Sequence, residues 1–127
     1  METGILTVFL VDDAAQVRHH IALMLETISG VQVVGEAEDG ETALNEICAR
    51  RPDVAIIDLR LSSGSGIALI SALSRAMPTV VTIALSNHSA PAFRAACETA
   101  GVHHFFDKTT EFDAACRTIE TLVSARR

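Results

Sequence analysis

The sequence predicts an α/β protein in which five parallel strands alternate with five helices in an open, doubly wound sheet. Short apolar runs rich in β-branched residues, such as residues 5–11 and 79–85, alternate with longer segments whose apolar residues recur every three or four positions. Runs this apolar are typical of parallel strands covered by helices on both faces. The chain has 127 residues, which suits one domain and is too short for an eight-fold barrel.

The predicted strands cover residues 5–11, 31–37, 54–57, 79–85 and 102–106. The second is the least uniformly apolar, which favours a position at the edge of the sheet. Right-handed crossover connections leave few possible topologies for such a chain. We therefore expect the flavodoxin-like strand order 2-1-3-4-5.

The predicted helices are recognised from the spacing of their apolar residues. These are Val17, Ile21, Met24, Leu25 and Ile28; Ala43, Leu44, Ile47 and Cys48; Ile67, Ile70, Leu73 and Met77; Phe93, Ala96, Cys97 and Ala100; and Phe112, Ala115, Cys116, Ile119, Leu122 and Val123. Gly30 and Gly101 are expected to end the first and fourth helices. Thr110 is expected to be the N-cap of the fifth helix, with Asp113 in its first turn. Residues 64–66 are expected to form a flexible connection into the third helix.

Composition argues against several classes of function. The chain carries 16 acidic and 10 basic residues, and its net charge is −6. Because the basic residues are scattered, we expect no direct binding of nucleic acid. The cysteines are odd in number and lack CxxC spacing, which disfavours a disulfide framework and a zinc site; they are Cys48, Cys97 and Cys116. With no signal-peptide pattern and no run of ~20 apolar residues, a cytoplasmic protein without a membrane partner is expected.

Side chains that can carry chemistry follow four of the predicted strands. They are Asp12 and Asp13, then Asp58, then Ser86, Asn87 and His88, and finally Asp107 and Lys108. In an open α/β sheet the ligand site lies beyond the carboxyl ends of the strands, near the switch point between strands 1 and 3. Three carboxylates crowded there repel one another unless a hard cation such as Mg²⁺ is bound. A cation, an ammonium and a hydroxyl also suit a phosphoryl group in transfer, and a carboxylate can accept one.

Four stretches with this spacing resemble the receiver domain of response regulators in two-component signalling, with its chemotaxis-regulator-like fold. The stretches are residues 8–13, 54–61 followed by Ser65 and Gly66, 82–86, and 105–108. The resemblance covers essentially the whole chain, so residues 1–127 are expected to form a single receiver domain.

The resemblance implies a role for each residue of the site. Asp58 would be the phosphoacceptor, assisted by Ser86 and Lys108. The implied ligands of Mg²⁺ are Asp12, Asp13, Asp58 and the backbone carbonyl of Arg60. Ser86 and Phe105 would form the conformational switch, whereas Arg60 and His88 would tune dephosphorylation. Thr109 stands where many receivers have proline after the lysine.

The resemblance also implies partners. The phosphoryl group would come from a sensor histidine kinase, a phosphotransfer protein or a small phosphodonor. A second copy of the chain or an effector protein would read the switch on the surface of helix 4, strand 5 and helix 5. Such a domain promotes its own phosphorylation and dephosphorylation but is not an enzyme acting on an external substrate.

Two other classes remain as alternatives. A flavodoxin-like electron carrier is disfavoured because the chain has no Trp or Tyr to stack on a flavin and no phosphate-binding loop after the first strand. A Mg²⁺-dependent phosphatase of the haloacid-dehalogenase class also uses an aspartate nucleophile. It would require a second aspartate two residues after Asp58, where this chain has Arg60.

Overall fold

Strands and helices alternate along the whole of the computed structural model, which describes residues 5–87 and 90–126. The strands are β1 (Leu6–Val11), β2 (Val31–Ala37), β3 (Val54–Asp58), β4 (Val81–Ser86) and β5 (His104–Asp107). The helices are α1 (Ala15–Glu26), α2 (Gly40–Arg50), α3 (Gly66–Ala76), α4 (Pro91–Ala100) and α5 (Phe112–Ala125). All neighbouring strands are parallel, in the order β2-β1-β3-β4-β5. The predicted fold class and strand order are confirmed.

The sheet separates two apolar cores, because successive residues of a strand point to opposite faces. Phe9 and Val11 face α2, α3 and α4, where they join a cluster that includes Ile70. Val8 and Leu10 face α1 and α5 in a second cluster. Burying one large aliphatic side chain contributes about 1.5–3 kcal/mol, so these two cores supply most of the drive to fold. Among the described residues, no helix combines the length and the apolar character needed to cross a membrane.

The edge strand β2 contains a shift of register against β1. Val8 pairs with Val33, but the next residue, Phe9, pairs with Gly35, so Val34 is an extra residue in β2. A Cβ atom on Gly35 would lie 2.6 Å from the ring of Phe9, which explains the glycine at this position. The extra residue reverses the alternation of side chains in the last part of β2.

Several strand boundaries differ from the predicted ones by one or two residues. β3 and β4 each include one further residue at their carboxyl ends, Asp58 and Ser86, and β5 includes Asp107. Parallel pairing continues through these positions, since Asp58 pairs with Leu85 and Ser86 with Asp107. The sheet itself therefore holds Asp58, Ser86 and Asp107.

The end of α1 corrects one prediction about helix caps. Gly30 was expected to end this helix, but α1 ends at Glu26, with Thr27 as its C-cap. The hydroxyl of Thr27 donates to the carbonyl of Met24 at 2.6 Å, and such local hydrogen bonds compete with continued helix. Gly30 instead lies in the following turn with a φ of +89°. Gly101 does end α4 as predicted, in the left-handed conformation.

The start of α5 corrects a second prediction about helix caps. Thr110 was expected to be the N-cap, but Glu111 occupies that position and its side chain makes no capping hydrogen bond. Asp107 takes over this role one turn earlier, because its Oδ1 accepts from the backbone N–H groups of Thr109 and Thr110, both at 2.9 Å. The predicted Asp113 in the first turn is confirmed.

Candidate functional site

The carboxyl ends of the central strands open into a cavity of about 260 Å³. Its lining residues are Asp12, Asp13, Ala14, Val17, Asp58, Arg60, Asn87 and Lys108. Five residues implied by the sequence therefore meet here, namely Asp12, Asp13, Asp58, Arg60 and Lys108. Arg60 lies at the exposed rim, and its backbone N–H is 3.4 Å from Oδ1 of Asp58.

Three carboxylates converge in this cavity. Asp12, Asp13 and Asp58 each offer one oxygen, and these three oxygens lie within 4.8 Å of one another. Asp12 is buried, Asp58 is partly buried and Asp13 is exposed. A hard divalent cation prefers carboxylate oxygens and retains several waters, so this donor set, open on one side, fits such an ion.

Lys108 brings a positive charge to two of the carboxylates. Its Nζ donates to Oδ2 of Asp12 at 2.8 Å and to Oδ2 of Asp58 at 3.2 Å. Burial alone would lower the pKa of Lys108, but the hydrogen bond to Asp12 and the charges of Asp58 and Asp12 raise it above its ordinary value. Lys108 is therefore fully protonated near neutral pH.

Asp58 has a higher proton affinity than an exposed aspartate. Burial raises its pKa, and the negative charge of Asp12 acts in the same direction. The charge of Lys108 and the hydrogen bonds from Lys108 and Arg60 oppose this rise without cancelling it. Positive charge near Asp58 thus favours its ionised form, and a bound cation would act in the same direction.

The close contact of α3 with the end of β3 determines the position of Asp58. Ser65 is the N-cap of α3 and accepts from the backbone N–H of Ala68 at 3.0 Å. Gly66 is the first helical residue, and a Cβ atom there would lie 2.2 Å from the carbonyl oxygen of Asp58. The prediction of a flexible connection at residues 64–66 is therefore wrong for Gly66, which is buried against the site.

Besides the bond from Lys108, three hydrogen bonds hold Asp12 in the β1–α1 loop. Its Oδ1 accepts from the backbone N–H of Ala14 at 2.9 Å, and its own N–H donates to the carbonyl of Ala37 at 3.1 Å. Its carbonyl oxygen accepts from the guanidinium of Arg18. Arg18 was not singled out in the sequence, although a basic residue between the helix-core positions Val17 and Ile21 was a possible signal.

The two residues expected to form the switch are both buried. Ser86 is fully buried at the end of β4, and Phe105 on β5 is 8% exposed within the core that contains Ala84 and Cys97. Arg94 of α4 covers Phe105, with its guanidinium carbon 4.4 Å from the ring centroid. His88, expected to tune dephosphorylation, lies outside the described residues.

The loop after Lys108 contacts the loop after β4. The hydroxyl of Thr109 donates to the amide oxygen of Asn87 at 3.2 Å, and Asn87 lines the cavity. Thr109 thus makes a polar contact that the proline common at this position could not make.

Sequence comparison defines the class of protein to which this site belongs. Residues 8–120 match the sequence model of the response regulator receiver domain. The chain therefore belongs to this family, whose members are the receiver domains of two-component response regulators, and the resemblance noted in the sequence is confirmed. Family membership favours this signalling class over the electron carrier and the phosphatase.

Individual relatives support the same family. The transcriptional regulatory protein UhpA of Salmonella typhimurium is 33% identical over 119 residues, covering 94% of this chain and 59% of UhpA. The DNA-binding transcriptional activator DevR/DosR of Mycobacterium tuberculosis is 39% identical over 82 residues, 65% of this chain and 38% of that protein. A protein-glutamate methylesterase/protein-glutamine glutaminase of Myxococcus xanthus is 34% identical over 93 residues, 72% of this chain. The chain spans only 27% of that methylesterase.

Solved structures share the fold over nearly the whole chain. A LuxR-family two-component response regulator from Aurantimonas has a TM-score of 0.87 and 26% identity, over 95% of this chain and 86% of that one. The receiver domain of the putative response regulator NarL from Mycobacterium tuberculosis has a TM-score of 0.84 and 28% identity, over 95% of this chain and 98% of that one.

Proposed function

We propose that this receiver domain, residues 1–127, accepts a phosphoryl group on Asp58 with the help of bound Mg²⁺. The observation that carries the proposal is the joint position of three carboxylates and one ammonium. Oxygens of Asp12, Asp13 and Asp58 lie within 4.8 Å of one another, and Nζ of Lys108 lies 3.2 Å from Oδ2 of Asp58. Asp12, Asp13, Asp58 and the backbone carbonyl of Arg60 are the proposed ligands of Mg²⁺.

In the proposed reaction an oxygen of the Asp58 carboxylate attacks the phosphorus atom of the donor. The bond from phosphorus to the donor atom breaks, the donor leaves with that electron pair, and an acyl phosphate forms on Asp58. Mg²⁺, when bound, neutralises negative charge on the phosphoryl oxygens. Lys108 binds one of these oxygens through its ammonium, and the hydroxyl of Ser86 donates to another.

The consequence of phosphorylation is a change of conformation rather than release of a product. The proposed donors are a sensor histidine kinase, a phosphotransfer protein or a small phosphodonor. Ser86 and Phe105 are the proposed switch residues, and the surface of α4, β5 and α5 is the proposed contact for an effector or a second copy. Arg60 at the rim and His88 after β4 are proposed to tune the lifetime of the acyl phosphate.

Incubation with acetyl phosphate tests the proposal directly. With Mg²⁺ present, intact-mass measurement should show one added phosphoryl group on the unmodified chain and none on Asp58→Asn, since an amide does not form the acyl phosphate. Asp113→Asn is the matched control, because Asp113 is an exposed aspartate of α5 and should leave labelling unchanged. Equal labelling of Asp58→Asn and the unmodified chain would contradict the assignment, whereas labelling that persists undiminished in EDTA would contradict the role of Mg²⁺.

A further inference from the structure

Arg18 of α1 lies beneath the acidic cavity with most of its side chain buried. Only 15% of this side chain is exposed, which is unusual for an arginine. Its guanidinium has two acceptors in different parts of the fold. Nη1 donates to the backbone carbonyl of Asp12, and Nε donates to Oε1 of Glu36 on β2 at 3.0 Å.

Glu36 faces Arg18 because of the extra residue in β2. Past the shift of register Glu36 pairs with Leu10, and paired residues of parallel strands point to the same face. Leu10 faces the core under α1, so Glu36 also points towards α1. If the register of the first three pairs continued without a shift, Glu36 would pair with Val11 and point to the opposite face, away from Arg18.

The contact with the carbonyl of Asp12 bears mainly on the next residue. A peptide group is rigid and planar, so a contact that holds the carbonyl oxygen of Asp12 also restrains the Cα atom of Asp13, which belongs to the same unit. The Asp12 carboxylate is already held by Ala14 and Lys108. Asp13 is exposed, and the direction of its side chain depends on the orientation of the peptide group before it.

We propose that Arg18 is a positioning residue for the metal site. Held in place by Glu36, it orients the peptide group between Asp12 and Asp13 so that the Asp13 carboxylate faces the cavity with the other two. This inference rests on the proposed function, because it assumes that the carboxylates bind Mg²⁺. Outer residues that orient metal ligands affect metal affinity by about 10–100-fold in other proteins.

The charge of Arg18 makes the inference testable by the sign of an effect. A guanidinium close to a cation site repels the cation, so removing it should tighten Mg²⁺ binding if charge alone mattered. If Arg18 acts by orienting Asp13, removing it should weaken binding in spite of the lost repulsion. The two roles therefore predict opposite results for one substitution.

The experiment is a calorimetric titration of the metal-free chain with Mg²⁺. For Arg18→Gln we expect about 10-fold weaker binding than for the unmodified chain. Arg126→Gln is the matched control, because Arg126 pairs with Asp53 at 3.2 Å at the other end of the sheet and should leave affinity unchanged. Melting temperatures in EDTA report folding separately, and Arg18→Lys, which keeps the charge and can reach one of the two acceptors, should recover part of the affinity.

A second pair of variants keeps the test decisive if Arg18→Gln folds poorly. Glu36 is partly exposed, so Glu36→Gln should fold, and we expect it to bind Mg²⁺ more weakly than the unmodified chain. Because Glu36 acts through Arg18, adding Glu36→Gln to Arg18→Gln should weaken binding no further. Unchanged or tighter binding by Arg18→Gln, or fully additive effects of the two substitutions, would overturn the inference while leaving the proposed function intact. An unmodified chain that binds no Mg²⁺ would overturn both.

Discussion

Lys108 contacts two carboxylates at once, Asp12 at 2.8 Å and Asp58 at 3.2 Å. In the absence of a divalent cation this ammonium is the charge that offsets the repulsion between them. Burial still raises the pKa of Asp58, so one lysine does not fully compensate for the removal of that carboxylate from water. The ionised site therefore opposes folding to some extent, as functional sites commonly do.

The raised pKa of Asp58 predicts how stability changes with pH. The folded state holds this proton more tightly than the unfolded state, so the contribution of Asp58 to stability is complete below about pH 3.9 and is lost as the pH rises through the higher pKa of the folded state. In EDTA at pH 7, Asp58→Asn should therefore increase the free energy of unfolding by on the order of 1 kcal/mol, or about 3–5 °C in Tm. The difference should shrink towards pH 4.

Thermal unfolding of both chains across this pH range measures the effect. Lys108 keeps its contact with Asp12 in the variant, so its pairing is not abolished. Saturating Mg²⁺ serves as the control and should stabilise the unmodified chain more than Asp58→Asn. An Asp58→Asn variant that is less stable than the unmodified chain at pH 7 in EDTA would contradict the assigned effect of burial.

Single residues of the site were predictable where their position follows from the ends of strands. Asp12, Asp58 and Lys108 come together because parallel strands place their carboxyl ends at one edge of the sheet. Arg18 was not predictable in this way. Its partner Glu36 faces it only because of an extra residue in β2, and no period-two pattern reveals such a shift.

Among the elements, α3 contacts the backbone of the site directly. Its first residue, Gly66, packs directly on the backbone of Asp58 and Leu59. A Cβ atom on Gly66 would lie 2.2 Å from the carbonyl oxygen of Asp58 and 2.7 Å from the Cα atom of Leu59. Both contacts are with backbone, which cannot move aside as a flexible side chain could. The absence of a side chain at Gly66 therefore sets the distance between α3 and Asp58, the proposed phosphoacceptor.

Gly66→Ala should force α3 and the end of β3 apart. We expect a loss of about 1–3 kcal/mol of stability, the range for overpacked sites, together with slower labelling of Asp58 by acetyl phosphate. Gly40→Ala is the matched control, because Gly40 is likewise the first residue of its helix and an added Cβ would meet its nearest atom at 3.8 Å. The control should be unchanged or stabilised by up to about 1 kcal/mol. Denaturant unfolding measures the stability of the two variants, and equal values for them would argue against close packing at Gly66.

The type and order of the elements were predictable, but the width of their buried faces was not. Met24 and Phe93 follow the apolar spacing of α1 and α4, yet they are 40% and 43% exposed. The buried residues of α1 are Ile21, Ala22 and Leu25, and Cys97 is the buried residue of α4. Apolar periodicity indicates which side of a helix faces the core, whereas the neighbouring elements decide how far round the helix burial extends.

Across the whole molecule, one arginine connects the three elements proposed to carry the output. Arg94 of α4 covers the ring of Phe105 on β5, at 4.4 Å from the centroid, and its Nη2 lies 3.6 Å from Oε1 of Glu111 before α5. The same Glu111 oxygen accepts from the backbone N–H of Asp107 at 2.8 Å. A change in the position of Phe105 would therefore disturb Arg94 and its contact with Glu111 at the start of α5.

Beryllofluoride, which mimics the phosphoryl group, should disturb this surface as a unit. We expect backbone amide shifts to extend from Asp58 and Lys108 to Arg94, Phe105 and Glu111 in NMR spectra recorded with Mg²⁺. The physical reason is that a close-packed interior changes between discrete arrangements rather than by gradual strain. Asp58→Asn with beryllofluoride is the control and should give no such shifts. Changes confined to the loops around the cavity, with Arg94 and Phe105 unaffected, would contradict switching of this surface.

The order of strands across the molecule could be predicted because it follows from alternation, handedness and the lower hydrophobicity of β2. The connection made by Arg94 could not, because it depends on where a long side chain reaches between elements that are distant in sequence. The sequence thus predicts where the proposed phosphoacceptor lies more readily than how a change at that residue would reach the surface of α4, β5 and α5.

The irregular edge strand β2 has a consequence for the behaviour of the protein at high concentration. An exposed strand edge offers unpaired backbone groups to a second molecule and is a common starting point for aggregation. Here the carboxylate of Glu26 accepts from the N–H of Val33 at 3.1 Å, and the guanidinium of Arg50 donates to the carbonyl of Val34 at 2.9 Å. An extra residue of this kind bends a strand, and the two charged side chains occupy two of the groups that an incoming strand would need. The outer margin of the sheet is thereby closed to intermolecular β-pairing at its most irregular point.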